Sequence, residues 1–245
     1  MTFRPALWMT VAAVPALCIL LWLGTWQVMR MQWKDALIAD FTSRAMAEAI
    51  APPGGESAAS HQFRRIVAQG NWMHDAEVQL IGRTFEGTAG YHVITPMQLR
   101  DGRILLINRG WVAEDYRTPS SRPSTLTEGE VRVEAILRLP VQKGRFVPDN
   151  APEKDDWFTL SIPDIAAHHQ LGDTLITTYT ADALRPDGPY VLPIGAAVEI
   201  NIPNDHWHYA LTWYGLALGL VGVYASWHHQ AGRLRFGAGR EGDVS

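Results

Sequence analysis

The sequence predicts an α+β membrane protein: two transmembrane helices flanking a strand-rich extracytoplasmic domain with a short helix. Three observations lead there. Two long runs without a charged residue lie near the two ends of the 245-residue chain. Short segments between them alternate apolar and polar residues, the period-2 signature of half-buried strands. A Ser161-Ile162-Pro163-Asp164 start resembles a capping box that opens a brief helix running to Leu171.

The first run, "ALWMTVAAVPALCILLWLGTWQVM" over residues 6–29, is long enough to span a bilayer with some tilt. It is too long for a cleaved signal peptide, and no small-residue cleavage site follows it. Leu17 is too large to precede a lipidated Cys18. The helical spacing of Ala, Leu and Ile continues through "WKDALIADFTSRAMAEAI", and Pro52-Pro53-Gly54-Gly55 stops it.

The strand candidates follow in order: "FRRIVAQGNW", "EVQLIG", "YHVITPMQL", "RILLINRGWV", "VRVEAILRL" and "AAVEINI". Asp101-Gly102 predicts a type I′ hairpin between the third and fourth. Residues 118–129, "TPSSRPSTLTEG", read as a loop. The second apolar run, "YALTWYGLALGLVGVYASW" over residues 209–227, carries aromatic residues near both ends, the pattern of an interfacial belt. The expected division is a transmembrane helix over 6–29, a periplasmic strand-rich domain over 30–205, a second transmembrane helix over 206–228 and a cytoplasmic tail over 229–245.

Arg233, Arg235 and Arg240 follow the second run, and this puts both termini in the cytoplasm by the positive-inside rule. Arg30 and Lys34 then lie on the outer side, where that rule disfavours them. The net charge of −4 gives no footprint for nucleic acid. A single cysteine excludes an internal disulfide and any Cys-x-x-Cys redox or copper site. No Gly-x-Ser-x-Gly, phosphate-binding loop or His-Glu-x-x-His occurs, so no enzymatic activity is expected.

Nine histidines are present. The adjacent pairs His168-His169 and His228-His229 point about 100° apart on a helix and chelate one metal poorly. They read as solvated surface and as membrane-interface residues. His206 and His208 differ, because they sit at the outer mouth of the second run, just after Pro203-Asn204. Imidazole there can hydrogen-bond lipid headgroups or ligate iron, and both readings stay open on the residues alone. Thr212, Gly215, Gly219, Gly222 and Ser226 form a small-residue stripe suited to close helix approach, and His208 continues it. His206 lies on the neighbouring face with Trp213 and Ala217. On the first helix, Trp26, Arg30, Trp33 and Leu37 recur at helical spacing. Indole stacks on flat apolar ligands and arginine pairs with carboxylates, which suits a porphyrin with propionates as well as ordinary interface anchoring.

Five clusters, in order along the chain, resemble the Surfeit-locus-protein-one (Shy-type) family of cytochrome c oxidase assembly factors. They are Gly24-Thr25-Trp26-Gln27 with Arg30 and Trp33-Lys34; Gly90 with Val93-Ile94-Thr95-Pro96; Ile107-Asn108-Arg109-Gly110-Trp111-Val112; Phe146-Val147-Pro148-Asp149-Asn150; and Asn204-Asp205-His206 with Tyr209 and Thr212-Trp213-Tyr214. The resemblance implies two membrane helices around an extracytoplasmic domain, and an assembly role in which heme a is bound or shielded during insertion into oxidase subunit I. The alternative is a colourless chaperone that stabilises subunit I without heme. Subunit I, heme a synthase and the lipid membrane are the implied partners. The resemblance points to His206 as the iron ligand. Trp26, Arg30 and Trp33, with His208 as the competing ligand, complete the expected site, and the aromatic stripe is expected to face the His206 end of the second helix. The few residues before the first run lead to the expectation of a bacterial inner membrane rather than an organelle reached by a transit peptide.

Overall fold

The computed structural model describes residues 2–197 and 204–235. They form two compact units, one of the described residues within 1–39 and 201–245 and the other of those within 40–200. The strand pair β1 (Thr2–Phe3) and β8 (Leu234–Arg235) and the helices α1 (Leu7–Met46) and α3 (His206–Gln230) bound the chain. Between them come β2 (Arg65–Trp72), β3 (Val78–Phe85), β4 (Thr88–Leu99), β5 (Ile104–Ala113), β6 (Glu130–Arg138), α2 (Ile162–His169) and β7 (Thr180–Ala183).

In the first unit, α1 and α3 are both long and apolar enough to cross a membrane. Their apolar side chains stay largely uncovered by protein: Leu7 is 80% exposed, Trp8 70% and Leu218 74%. A helix apolar on every side and uncovered by its own chain suits a lipid environment. The two helices run antiparallel, since Thr10 Oγ1 lies 2.6 Å from Tyr224 Oη and Thr25 Oγ1 3.2 Å from Tyr214 Oη. α1 remains helical through Pro15 and ends at Met46, short of the Pro52-Pro53 stop.

His228 corrects the reading of the second histidine pair. It is fully buried among Phe3, Tyr224 and Trp227. Its Nδ1 faces the Tyr224 carbonyl at 2.8 Å and its Nε2 receives the Ala6 amide at 3.1 Å. A carbonyl only accepts and an amide only donates, so the ring carries its proton on Nδ1. It ties the start of α1 to the end of α3.

In the second unit, six strands run in the order β2-β6-β7-β5-β4-β3, and β2 also pairs with β4. That extra pairing, Gly70–Trp72 against Met97–Leu99, closes β2, β6, β7, β5 and β4 into a small barrel. All pairs are antiparallel except β5 with β7. Side chains alternate across a strand, and both faces of β5 are buried. Leu105 and Ile107 fill the barrel with Ile66, Met97, Leu137 and Tyr179. Ile104 and Leu106 pack outside against Trp157, Ile162 and Ile165, where α2 lies. Hence the uninterrupted "ILLI". Ser161 caps α2 by accepting the Asp164 amide at 3.4 Å.

Two details depart from the sequence reading. β7 was not expected. Of the "AAVEINI" segment, Ala196 bridges to Leu184, and residues 198–202 lie outside the described residues. The Asp101-Gly102 turn has positive φ at Gly102 alone (+86°), and the Gly102 amide donates to Leu99 O at 2.9 Å. That is a three-residue hairpin loop with a left-handed glycine rather than type I′.

Candidate functional site

Polar contacts gather at one end of the α1–α3 pair. His206 Nδ1 lies 2.6 Å from Gln27 Oε1. Asn204 Nδ2 donates to Asp35 Oδ1 at 2.6 Å and to Met31 O at 3.4 Å. One turn before Gln27, Gly24 is buried against Tyr214: a Cβ there would stand 2.8 Å from that ring. The missing side chain lets the helices approach closely enough for the Gln27–His206 contact.

The aromatic stripe does not face α3, which corrects the expected arrangement. Gly24, Thr25 and Gln27 meet α3, and Met31 and Asp35 meet Asn204 just before it. At 100° per residue, Arg30 lies about 60° and Trp26 about 100° from Gln27, both on the side away from Gly24 and Met31. Trp26, Arg30 and Trp33 are exposed there, and the Arg30 guanidinium sits 4.1 Å from the Trp33 ring centroid. Helix phase within α1 explains this, because Trp26 and Trp33 stand roughly opposite Gly24. The stripe forms an open flank beside Gln27.

His208 is exposed and stacks on Trp207, with ring centroids 3.5 Å apart. Among the described residues neither of its ring nitrogens makes a hydrogen bond. The small-residue stripe is likewise open: a Cβ on Gly215, Gly219 or Gly222 would meet nothing within 4 Å. We therefore expect Gly24→Leu to loosen the helix pair, read as lost cross-linking between cysteines introduced at Thr10 and Tyr224. Gly219→Leu is expected to leave that cross-link intact. Equal yields in both variants would count against the packing role of Gly24.

In the strand domain the Asn108-Arg109-Gly110-Trp111 stretch is built around a bulge. Val93 pairs with Gly110 but Ile94 pairs with Asn108, so Arg109 is the extra residue. Asn108 Oδ1 accepts the Gly110 amide at 3.1 Å, and its Nδ2 donates to Asp182 Oδ1 at 3.0 Å and approaches His92 Nδ1 at 3.3 Å. Burial, aided by Arg83, holds the His92 imidazole below its usual pKa, against the opposing pull of Asp182. Arg109 lies over Trp72, 4.7 Å from its ring centroid, and Arg109 Nη1 is 3.7 Å from Glu77 Oε2. Glu77 also pairs with Arg122. Asn150, at the end of Phe146–Asn150, clamps a loop: its Oδ1 accepts the amides of Phe158 (2.9 Å) and Thr159 (3.0 Å), and its Nδ2 donates to Asp164 (2.8 Å). These two motifs hold the fold. Among the described residues no group of three or more His, Cys, Asp or Glu stands ready to hold a metal ion.

Sequence reasoning missed Gln27, Glu77 and Arg122. Gln27 stood in a quoted motif, but its amide offered less chemistry than the neighbouring indole and guanidinium. Glu77 and Arg122 are far apart in the chain and carry no local signal.

The SURF1 family model matches residues 14–218. The chain belongs to the SURF1 family. A SURF1-like protein of Monosiga brevicollis is 35% identical over 207 residues, covering 80% of this chain and 78% of that protein. Surfeit locus protein 1 of Mus musculus is 32% identical over 210 residues, covering 79% and 67%. Surfeit locus protein 1 of Homo sapiens is 31% identical over 212 residues, covering 80% and 69%. The SURF1 match begins inside α1 and ends inside α3, so the Gln27–His206 contact falls within it.

Proposed function

We propose that this SURF1-family chain is an assembly factor for cytochrome c oxidase that binds heme a through His206 while the heme is placed in subunit I. Family membership supports the oxidase role. The observation that carries the heme reading is the His206 ring: Nδ1 is engaged by Gln27, and among the described residues Nε2 makes no hydrogen bond.

The donor set fits such a group. A neutral imidazole held by its other nitrogen would be able to ligate heme iron. Trp26 and Trp33 offer exposed indole faces on the adjacent flank. Arg30 has no ion-pair partner among the described residues, which leaves its guanidinium open to a propionate. Heme a supplies the redox iron centre that subunit I needs; the chain's own residues would bind, orient and shield it. His208, exposed and stacked on Trp207, is the weaker ligand candidate. No reaction of its own is assigned to the chain.

The proposed setting is a bacterial inner membrane crossed by α1 and α3, with the strand domain in the periplasm and both termini in the cytoplasm. Arg233, Arg235 and Arg240 after α3 support that orientation. Subunit I and heme a synthase are the proposed partners.

Purification from cells that make heme a, and from cells that do not, tests the reading. The expected result is a heme absorbance band that co-purifies only from the first. His206→Ala should lose most of the band, Arg30→Ala should weaken it less, and His208→Ala should keep it. Loss in His208→Ala alone would move the ligand to that residue. Colourless protein that still captures subunit I would favour a structural chaperone.

A further inference from the structure

We infer that Gln27 is a positioning residue that puts the His206 proton on Nδ1 and so leaves the Nε2 lone pair for iron. This rests on the proposed ligation by His206 and names the residue that prepares it.

The Gln27 Oε1 to His206 Nδ1 separation, 2.6 Å, is short for an N–H···O hydrogen bond, whose usual length is about 2.9–3.0 Å. An amide oxygen only accepts, so the nitrogen facing it carries hydrogen. A neutral imidazole protonated on Nδ1 has its lone pair on Nε2, the atom without a hydrogen bond among the described residues. Iron-ligating histidines as a rule donate their second N–H to an oxygen, and this fixes both tautomer and ring rotation. His206 already has that arrangement without a ligand.

The surroundings agree. Gly24 admits the Tyr214 ring and draws α1 and α3 together one turn away. Asn204 pins the start of α3 to Met31 O and Asp35 on the same face of α1. His206 is therefore held from both sides along α1. His208 lacks every part of this: its ring meets the Trp207 indole and no acceptor among the described residues. Helix phase alone favoured His208 and the family motif His206; the hydrogen bond that His206 gives to Gln27 sets the two apart.

The test uses the full-length chain in detergent, with hemin as the titrated probe. In the apo protein, nitrogen-15 NMR of the imidazoles reads the tautomer directly. His206 is expected with its proton on Nδ1, and Gln27→Leu should shift population to the Nε2-protonated form. On titration, Gln27→Leu should bind hemin about 10–100-fold more weakly. Gln27→Glu keeps the shape and strengthens the acceptor. It should retain hemin and lower the midpoint potential of the bound iron, because a more basic imidazole favours the ferric state. A role confined to helix packing would leave the His206 tautomer of the apo chain unmoved in Gln27→Leu. Nε2 protonation of His206 in the unaltered apo chain would overturn the inference. So would equal hemin affinity in Gln27→Leu together with an unchanged potential in Gln27→Glu. Should Gln27→Leu fail to fold, the His206 tautomer in the unaltered apo chain decides. Hemin retained in full by His206→Ala would overturn the ligand reading and the role of Gln27 toward iron. The apo spectrum would still report the tautomer, so the two failures are distinguishable.

Discussion

Replacing Glu77 by glutamine is expected to destabilise the strand domain by about 3–5 kcal/mol, the usual cost of removing one partner from a buried ion pair. The side chains of Glu77 and Arg122 are each 1% exposed and that of Arg109 is 9% exposed. Glu77 Oε1 accepts from Arg122 and from Gln79 Nε2 (3.0 Å), while Oε2 accepts from Thr95 Oγ1 (3.1 Å) and faces Arg109. Two guanidiniums thus share one carboxylate. Burial, aided by Arg122, lowers the Arg109 pKa to about 10 against the upward pull of Glu77. Without the Glu77 charge, two buried cations lose their ion-pair partner among the described residues. Arg122 also donates to Tyr116 O at 3.0 Å and Thr125 Oγ1 at 3.1 Å, so the loop over residues 116–125 loses its anchor as well. For a domain of this size the loss corresponds to a fall of roughly 6–20 °C in melting temperature, read by near-UV circular dichroism of the detergent-solubilised chain. Arg132→Gln is the control. Its partner Glu134 lies 3.3 Å away, both side chains are about half exposed, and such pairs contribute about 0–1 kcal/mol. A Glu77→Gln melt that matches the control would remove the network as a source of stability.

What was legible in the sequence follows from the range over which each feature is determined. The two apolar runs and five strands could be read because burial imposes its period on neighbouring residues. The four residues of β7 could not: they are a strand because β5 and β6 flank them, with Ala181 opposite both Ile107 and Leu137. Glu77 and Arg122 meet only once β3 and the loop after β5 are in place. On α1, side-chain chemistry drew attention to Trp26, Arg30 and Trp33. Which face meets α3 depends on the partner helix, and Gly24 and Gln27 declare it only once Tyr214 and His206 are opposite them. The same holds for the histidines of α3. His206 and His208 are alike as residues, and their difference is a hydrogen bond to another helix.

The second large effect is expected at Gly110, where alanine should destabilise the domain by about 2–6 kcal/mol through backbone strain and overpacking together. Gly110 has φ +124°, a conformation that an L side chain rarely adopts. A Cβ there would also stand 2.1 Å from Ile194 O, 2.3 Å from Ile194 C and 2.5 Å from Gly195 N. These are backbone atoms and cannot swing aside. They are held in place, because Trp111 N donates to Ile194 O at 2.9 Å and Ile194 N to Trp111 O at 2.8 Å. The glycine is therefore required by the bulge, and the bulge serves the core. With Arg109 as the extra residue, Asn108 closes onto the Gly110 amide and the Arg109 guanidinium reaches Thr125 O at 2.6 Å, beside Glu77. Flattening the bulge would flip the residues beyond it to the other face of β5. Gly102→Ala separates the two causes of strain. Gly102 also has positive φ, +86°, but a Cβ there meets nothing within 4 Å, so only the dihedral cost of about 1–3 kcal/mol remains. The measurement is the melting temperature of both variants beside their yield in the membrane fraction. Gly110→Ala should show much the larger loss in each. If the two variants melt together, the contact with Ile194 is soft and the rigidity assigned to the bulge is wrong.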